Sequence, residues 1–335
     1  MKLYKPLDYQ LMKKLLNKQN TFLLLLVLMV VLAKVVPYQE AYQEIFDLET
    51  FIDWGIAGIF LLYGLKLNLK EVVKDISNWK LHLVVQLATF VLFPFLVLLF
   101  YPLALRWDFY PLWLSVFFLA SLPSTVSSSV VMVSIAKGNV TSAIFNASVS
   151  GLLGVVFTPL LMGFFLASET QNEGESDEVL KQLLLKVLLP IVLGVLFNPL
   201  FKAIIQKYGK IIAEFDRLII LLIVYESFSA AFLRGIFSSI PAIQFLWLTL
   251  AVVALFFVVY EVVRFVSVKL KFSREDVITA TFCGSKKSLV HGSLFVLVLG
   301  ISPQDKVLFL LPVMIYHSFQ LFYVSWLANR LRITG

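Results

Sequence analysis

Charge is scarce in this chain, and so are cysteine and histidine. Only 15% of the residues are Asp, Glu, Lys or Arg, where a soluble globular domain carries about 25%. A water-facing surface around the whole molecule is therefore excluded. The one cysteine, Cys283, excludes an intrachain disulfide and a cysteine metal cluster. The three histidines form no HExxH helix, and the acids form no GxGD-like pair, so no signature of an intramembrane protease is present. We read the chain as a non-enzyme without a cofactor. Long polar stretches are confined to residues 1–20 and 168–178. No small-residue cleavage site follows the first apolar run, 21–37, so that run reads as a membrane span.

Apolar sequence fills the rest. Hydrophobic residues make up 60% of the chain, in runs of about 20 residues, the length that spans a bilayer as a helix. The expectation is an all-α polytopic membrane protein with ten transmembrane helices. The first five spans are 21–37, 51–66, 81–103, 111–136 and 139–167; the second five are 179–201, 216–238, 241–263, 276–300 and 304–329. With a cytoplasmic N-terminus, 20 of the 28 basic residues fall in cytoplasmic segments, as the positive-inside rule requires. Both termini are then cytoplasmic, in the plasma (inner) membrane, and the net charge of +7 marks a membrane face and argues against a nucleic-acid partner. The segments are a cytoplasmic stretch 1–20, a first repeat 21–167, an acidic extracytoplasmic linker 168–178 and a second repeat 179–330. Five is odd, so the second half begins on the opposite side of the membrane. That is the arrangement of two inverted five-helix repeats, common in secondary transporters.

Two spans are interrupted at matching places. "SLPSTVSSSVVMVSIAKGN" (121–139) carries Pro123 followed by Ser124, Thr125, Ser127, Ser128 and Ser129. "TFCGSKKSLVHG" (281–292) carries Gly284, Ser285, Lys286, Lys287 and Ser288. Proline removes a backbone donor and glycine weakens a helix interior. Freed backbone groups at membrane depth are tolerated only against protein or a water-filled cavity. Ser128 lies roughly 14 Å from Lys137 along a helix and Lys287 roughly 20 Å from Arg274, so both breaks lie near the midplane of a core about 30 Å thick. A pair of interrupted spans in two halves points to a transporter's binding site, and intramembrane lysines are expensive enough to mark one. Serine and proline in one span alone would read as packing.

Longer stretches carry a family resemblance. "GLKLNLKEVVKDISNWKLHLVVQLATFVLFP" (64–94), "LPSTVSSSVVMVSIAKGNVTSAIFNASVSGLLGVVFTPLL" (122–161), "LLPIVLGVLFNPL" (188–200) and "FCGSKKSLVHG" (282–292) resemble the bile acid:sodium symporter family, in its YfeH-like branch. The resemblance implies panel and core domains, with the fourth and ninth helices crossing where they unwind. It also implies alternating-access transport of an organic anion, such as a bile-acid-like or small carboxylate or sulfonate solute. The family's sodium ligands are mostly lost. The Ser-Asn pair of the fourth helix matches Ser129 and Val130. Two hydroxyl ligands of the fifth match Ala143 and Ala147, and the shared glutamate of the ninth matches Phe282. The Gln-Asn pair one turn on matches Lys286 and Lys287. A glutamine of the third matches Thr89, with Gln86 one turn earlier.

The two ammonium groups are therefore read as replacements for two sodium ions. Thr125, Ser127, Ser128, Ser129 and freed carbonyls would serve as acceptors, since an ammonium donates three hydrogen bonds. Transport would then be uncoupled or proton-coupled, with His291, four residues after Lys287, as a candidate relay. Attraction of the anionic solute by the lysines is a compatible second role. Ser285 and Ser288 belong to the same break. Glu226, near mid-span in the seventh helix, is either a counter-charge for a lysine or a water-facing cavity residue. His82 and His317 read as hydrogen-bonded packing residues, and Asn139 and Asn146 as cavity-lining or as bonded to the fourth helix. The remaining alternatives are a sodium symporter with altered ion sites and a regulatory membrane protein that moves no solute.

Overall fold

The computed structural model describes residues 18–38, 47–66, 76–107, 109–125, 127–166, 185, 189–235, 241–299, 301 and 305–333. Residues 1–17 and the acidic linker 168–178 lie outside the described residues. Those described are helical and contain no strand. In chain order the helices are α1 (Lys18–Val35) and α2 (Leu48–Lys66), then α3 (Trp79–Leu87), which runs through a π-turn at Ala88–Leu92 into α4 (Phe93–Leu98). There follow α5 (Tyr101–Arg106), α6 (Tyr110–Ser121), α7 (Ser127–Ile135) and α8 (Val140–Leu166). The second part holds α9 (Leu189–Leu233), α10 (Ala242–Lys269), α11 (Arg274–Gly284), α12 (Leu289–Val298) and α13 (Lys306–Ile333).

Five stretches are long and apolar enough to cross a membrane: Leu48–Leu65, Trp79–Arg106, Val140–Leu166, Ala242–Lys269 and Lys306–Arg332. Large apolar side chains such as Phe164, Leu196, Leu200, Trp247 and Phe322 stay exposed, as a bilayer-facing surface demands. The two spans expected to be broken are not among them, because each is split into two short helices, α6 with α7 and α11 with α12.

The sixth and seventh expected spans form one uninterrupted helical run, α9. Gly64 lies against Gly194, 2.8 Å from its Cα to an added Cβ, and Gly55 lies against Ile219. Positions 55 and 64 are about 13 Å apart along a helix, whereas 194 and 219 are about 37 Å apart on a straight one. A straight α9 cannot make both contacts, so it bends back between them, after Pro199. The glycine pair lets the two backbones touch, as small residues do between membrane helices. Asn198 adds a bond from its side-chain amide to the Leu65 carbonyl. Thus α1, α2 and α9 pack as a three-helix layer. The other helices pack around α6, α11 and α13 as a larger body.

Candidate functional site

The two interrupted helices lie against each other, and nearly every freed carbonyl at the crossing has a named donor. The sequence LPS ends α6. Leu122 is extended (φ −70°, ψ 151°), as a residue before proline must be. The Ser121 carbonyl accepts from Thr158 Oγ1 at 2.8 Å and the Pro123 carbonyl from the Ser288 amide at 2.9 Å. The Ser124 amide turns away to Ser150 Oγ, and Ser124 Oγ donates to the Cys283 carbonyl at 2.6 Å. The Ala120 and Leu122 carbonyls are left. Both accept from Lys287 Nζ, at 2.6 and 2.7 Å.

The third acceptor of that ammonium is the Thr89 carbonyl, at 2.8 Å, and local sequence explains why it is free. In the π-turn the Phe93 amide donates to the Ala88 carbonyl. The next residue, Pro94, has no N–H to offer Thr89. Lys287 Nζ also sits 4.2 Å from the centre of the Phe93 ring, within cation–π range. Its three donors are thus all used, and it is 0% exposed. Lys286 is equally buried but holds one bond among the described residues, from Nζ to the Ser128 carbonyl at 3.0 Å.

The second break is held from α13. The Gln320 side chain accepts from the Lys287 amide at 2.9 Å and donates to the Lys287 carbonyl at 2.8 Å. Tyr316 donates its hydroxyl to the Ser285 carbonyl. Ser288 caps α12 by accepting from the His291 amide, and it bonds His291 Nδ1 at 2.9 Å.

A cavity of about 360 Å³ separates the three-helix layer from this crossing. Tyr63 and Arg217 wall it on the layer side, and Thr125, Ser128, Ser288 and His291 on the other. Its lining is mostly apolar with a few convergent polar groups, the usual composition of a small-molecule site. Among the described residues no group of three or more His, Cys, Asp or Glu side chains can hold a metal.

A sequence model of the SBF-like CPA transporter family matches residues 20–333. The chain belongs to the SBF-like CPA transporter family. Its relatives include YfeH of Escherichia coli K12, a candidate symporter, 35% identical over 95% of this chain and 94% of that protein. Sodium/bile acid cotransporter 7-A of Xenopus laevis is 26% identical over 83% of this chain and 81% of its own length. Sodium/bile acid cotransporter 7 of Danio rerio is 27% identical over 94% of each. The relatives are named as transporters, in keeping with a membrane transporter and not an enzyme.

Within this family scaffold several expectations need correction. The expected acceptors were serine and threonine hydroxyls together with freed carbonyls; the carbonyls hold both ammonium groups and the hydroxyls do not. The hydroxyls of Thr125, Ser128 and Ser129 bond one another instead, at 2.8 and 2.9 Å. Thr89 contributes its carbonyl, while its hydroxyl donates to Val85 within its own helix. Ser285 Oγ likewise caps back onto the Thr281 carbonyl. Of Ser127 only the backbone is described, at the start of α7. Lys287 and His291 share no helical face, because the helix stops at Gly284 and restarts at Leu289. His291 instead stacks on Tyr63 across the cavity seam, centroids 5.3 Å apart.

Neither lysine is among the residues walling the cavity, so direct contact with a solute there falls to other groups. Glu226 pairs with Lys306, at 3.6 Å, and not with the lysine pair. Gln86 donates to the carbonyl and Oδ1 of Asn146, away from Lys287. Asn146 also bonds His82 at 3.0 Å, and Asn139 bonds Asp276 at 2.9 Å. His317 bonds Gln320, also at 2.9 Å. Sequence reading passed over Gln320, Tyr316, Phe93 and Pro94. Pro94 five residues after Thr89, and Tyr316 and Gln320 within "YHSFQ", were the available signals.

Proposed function

We propose that this family member is a secondary active transporter of an organic anion, working by alternating access. Lys286 and Lys287 stand where relatives bind two sodium ions, so transport is sodium-independent or proton-coupled. The observation that carries the reading is the coordination of Lys287. Three backbone carbonyls at 2.6–2.8 Å surround its ammonium, much as oxygens surround a hard cation. A cation tethered to the chain performs the work of a bound ion without a cation gradient to fill the site. The adjoining cavity offers the Ser128 and Ser288 hydroxyls, apolar walls and Arg217, whose charge is paired with Glu214 and adjoins Asp216; a small amphipathic solute suits it, and the anionic character of that solute is taken from the family resemblance. In this reading ten spans form two inverted halves, the three-helix layer is the panel and the larger body the core. The protein lies in the inner membrane with both termini in the cytoplasm.

The names of the vertebrate relatives favour a second reading, sodium symport through altered sites. One measurement separates the two. A ligand that binds only the folded form raises its melting temperature by mass action. The purified protein in detergent is expected to melt at the same temperature in sodium, potassium and choline chloride. A rise specific to sodium would overturn the tethered-cation reading.

A further inference from the structure

Glu226 is a buried carboxylate that the lysine crossing does not use. Its Oε1 lies 3.6 Å from Lys306 Nζ and its Oε2 accepts from Ser227 Oγ at 3.2 Å. Glu226 belongs to α9, in the three-helix layer, while Lys306 opens α13 of the larger body. The two other ion pairs between described residues, Glu214–Arg217 and Glu261–Arg264, each lie within one helix. The Glu226–Lys306 pair is different: it ties one body to the other. Glu49 of α2 brings a second negative charge to the same end.

Two ring contacts join the bodies along the same seam. On α2, Phe60 lies against Phe295, centroids 6.1 Å apart, and Tyr63 stacks on His291 at 5.3 Å. Tyr63 and His291 wall the cavity together with Ile220 and Arg217 of α9, whereas neither Glu226 nor Lys306 does. Arg217 lies about 13 Å along α9 from Glu226, and by charge distribution it marks the cytoplasmic side. On that orientation the ion pair lies on the outer side of the cavity and closes the outer end of the seam.

We propose that Glu226 and Lys306 form the outer latch of the transport cycle. Joined, they hold the inward-facing arrangement; parted, they let the layer and the body separate toward the outside. The inference rests on the alternating-access reading. A charged latch has a physical advantage over a wholly apolar one. When the seam opens, both charges regain water, which offsets most of their lost attraction. An apolar seam would recover nothing, so the ion pair keeps the two states close in free energy.

The test uses the full chain carrying Cys283→Ala, so that one added thiol reports accessibility. Ser229, one turn beyond Glu226, is buried and its hydroxyl has no partner among the described residues; Ser229→Cys reports the outer seam. Ser148 lines the cavity; Ser148→Cys reports the inner face. Labelling by a membrane-impermeant maleimide is followed in right-side-out and inside-out vesicles. Ser229→Cys should label slowly from outside, and about tenfold faster with either Glu226→Gln or Lys306→Gln. The exchanged pair, Glu226→Lys with Lys306→Glu, should restore slow labelling. Using either single variant guards against one that fails to fold. If Ser148→Cys labels from the cytoplasmic side but Ser229→Cys is indifferent to all variants, the latch is overturned and the transporter reading stands. If Ser148→Cys labels from neither side, the solute cavity is absent and both readings fall.

Discussion

Replacing each lysine by methionine, which keeps the volume and removes the charge, should have very unequal consequences. Both substitutions abolish the cost of burying an ammonium, so that large contribution cancels when the two variants are compared. What differs is the set of groups left behind. Lys286→Met orphans one carbonyl, Ser128; Lys287→Met orphans three, Thr89, Ala120 and Leu122, and loses the Phe93 ring contact. An unsatisfied buried polar group costs about 1–3 kcal/mol, and a desolvated cation–π contact contributes about 2 kcal/mol. Two additional carbonyls and the ring make Lys287→Met less stable than Lys286→Met by about 4–8 kcal/mol. Water entering the emptied polar space would bring the difference toward the lower end. At roughly 2–4 °C per kcal/mol for a large domain, the gap in melting temperature is at least about 8 °C. The assay is thermal unfolding of both variants in the same detergent, followed by tryptophan fluorescence. Equal melting temperatures, or a lower one for Lys286→Met, would refute the carbonyl-cage argument.

Pro94 leaves the Thr89 carbonyl free, so Pro94→Ala supplies an N–H that can reclaim it. In the Lys287→Met background this second change should recover about 1 kcal/mol, whereas alone it should weaken the cage. A double-mutant cycle by thermal unfolding with no coupling would remove the π-turn from the account. Gly64 and Gly194 sit backbone to backbone, so Gly64→Leu should prevent recovery of monodisperse protein on gel filtration. Gly163→Ala, where nothing lies within 4 Å of the added carbon, should behave as wild type. A well-folded Gly64→Leu protein would show that α2 and α9 do not need this close approach.

The sequence alone determined much of this protein. Charge scarcity and runs of about 20 apolar residues require a helical membrane protein. Pro123, Gly284 and the adjacent lysines mark where two helices must break. Those are local properties: a missing N–H or a flexible residue acts on its own turn, whatever surrounds it. The long family motifs carried the membership as well. That freed carbonyls would receive the cations was legible, but which carbonyls was not. A carbonyl is present at every residue, so nothing in the letters singles out Thr89, Ala120 and Leu122. They become acceptors only because a π-turn, a helix end and a crossing helix meet within one ammonium's reach. Of the two acceptor kinds expected, hydroxyls and freed carbonyls, the hydroxyls dropped out because Thr125, Ser128 and Ser129 satisfy each other first. Periodicity misled for His291 because the i, i+4 relation holds only within an unbroken helix. Glu226 found Lys306, 80 positions away in sequence, through the packing of one body on another. Chemical type and local breakage are written along the chain; pairing across it is decided by which buried polar groups the tertiary structure brings within hydrogen-bond distance.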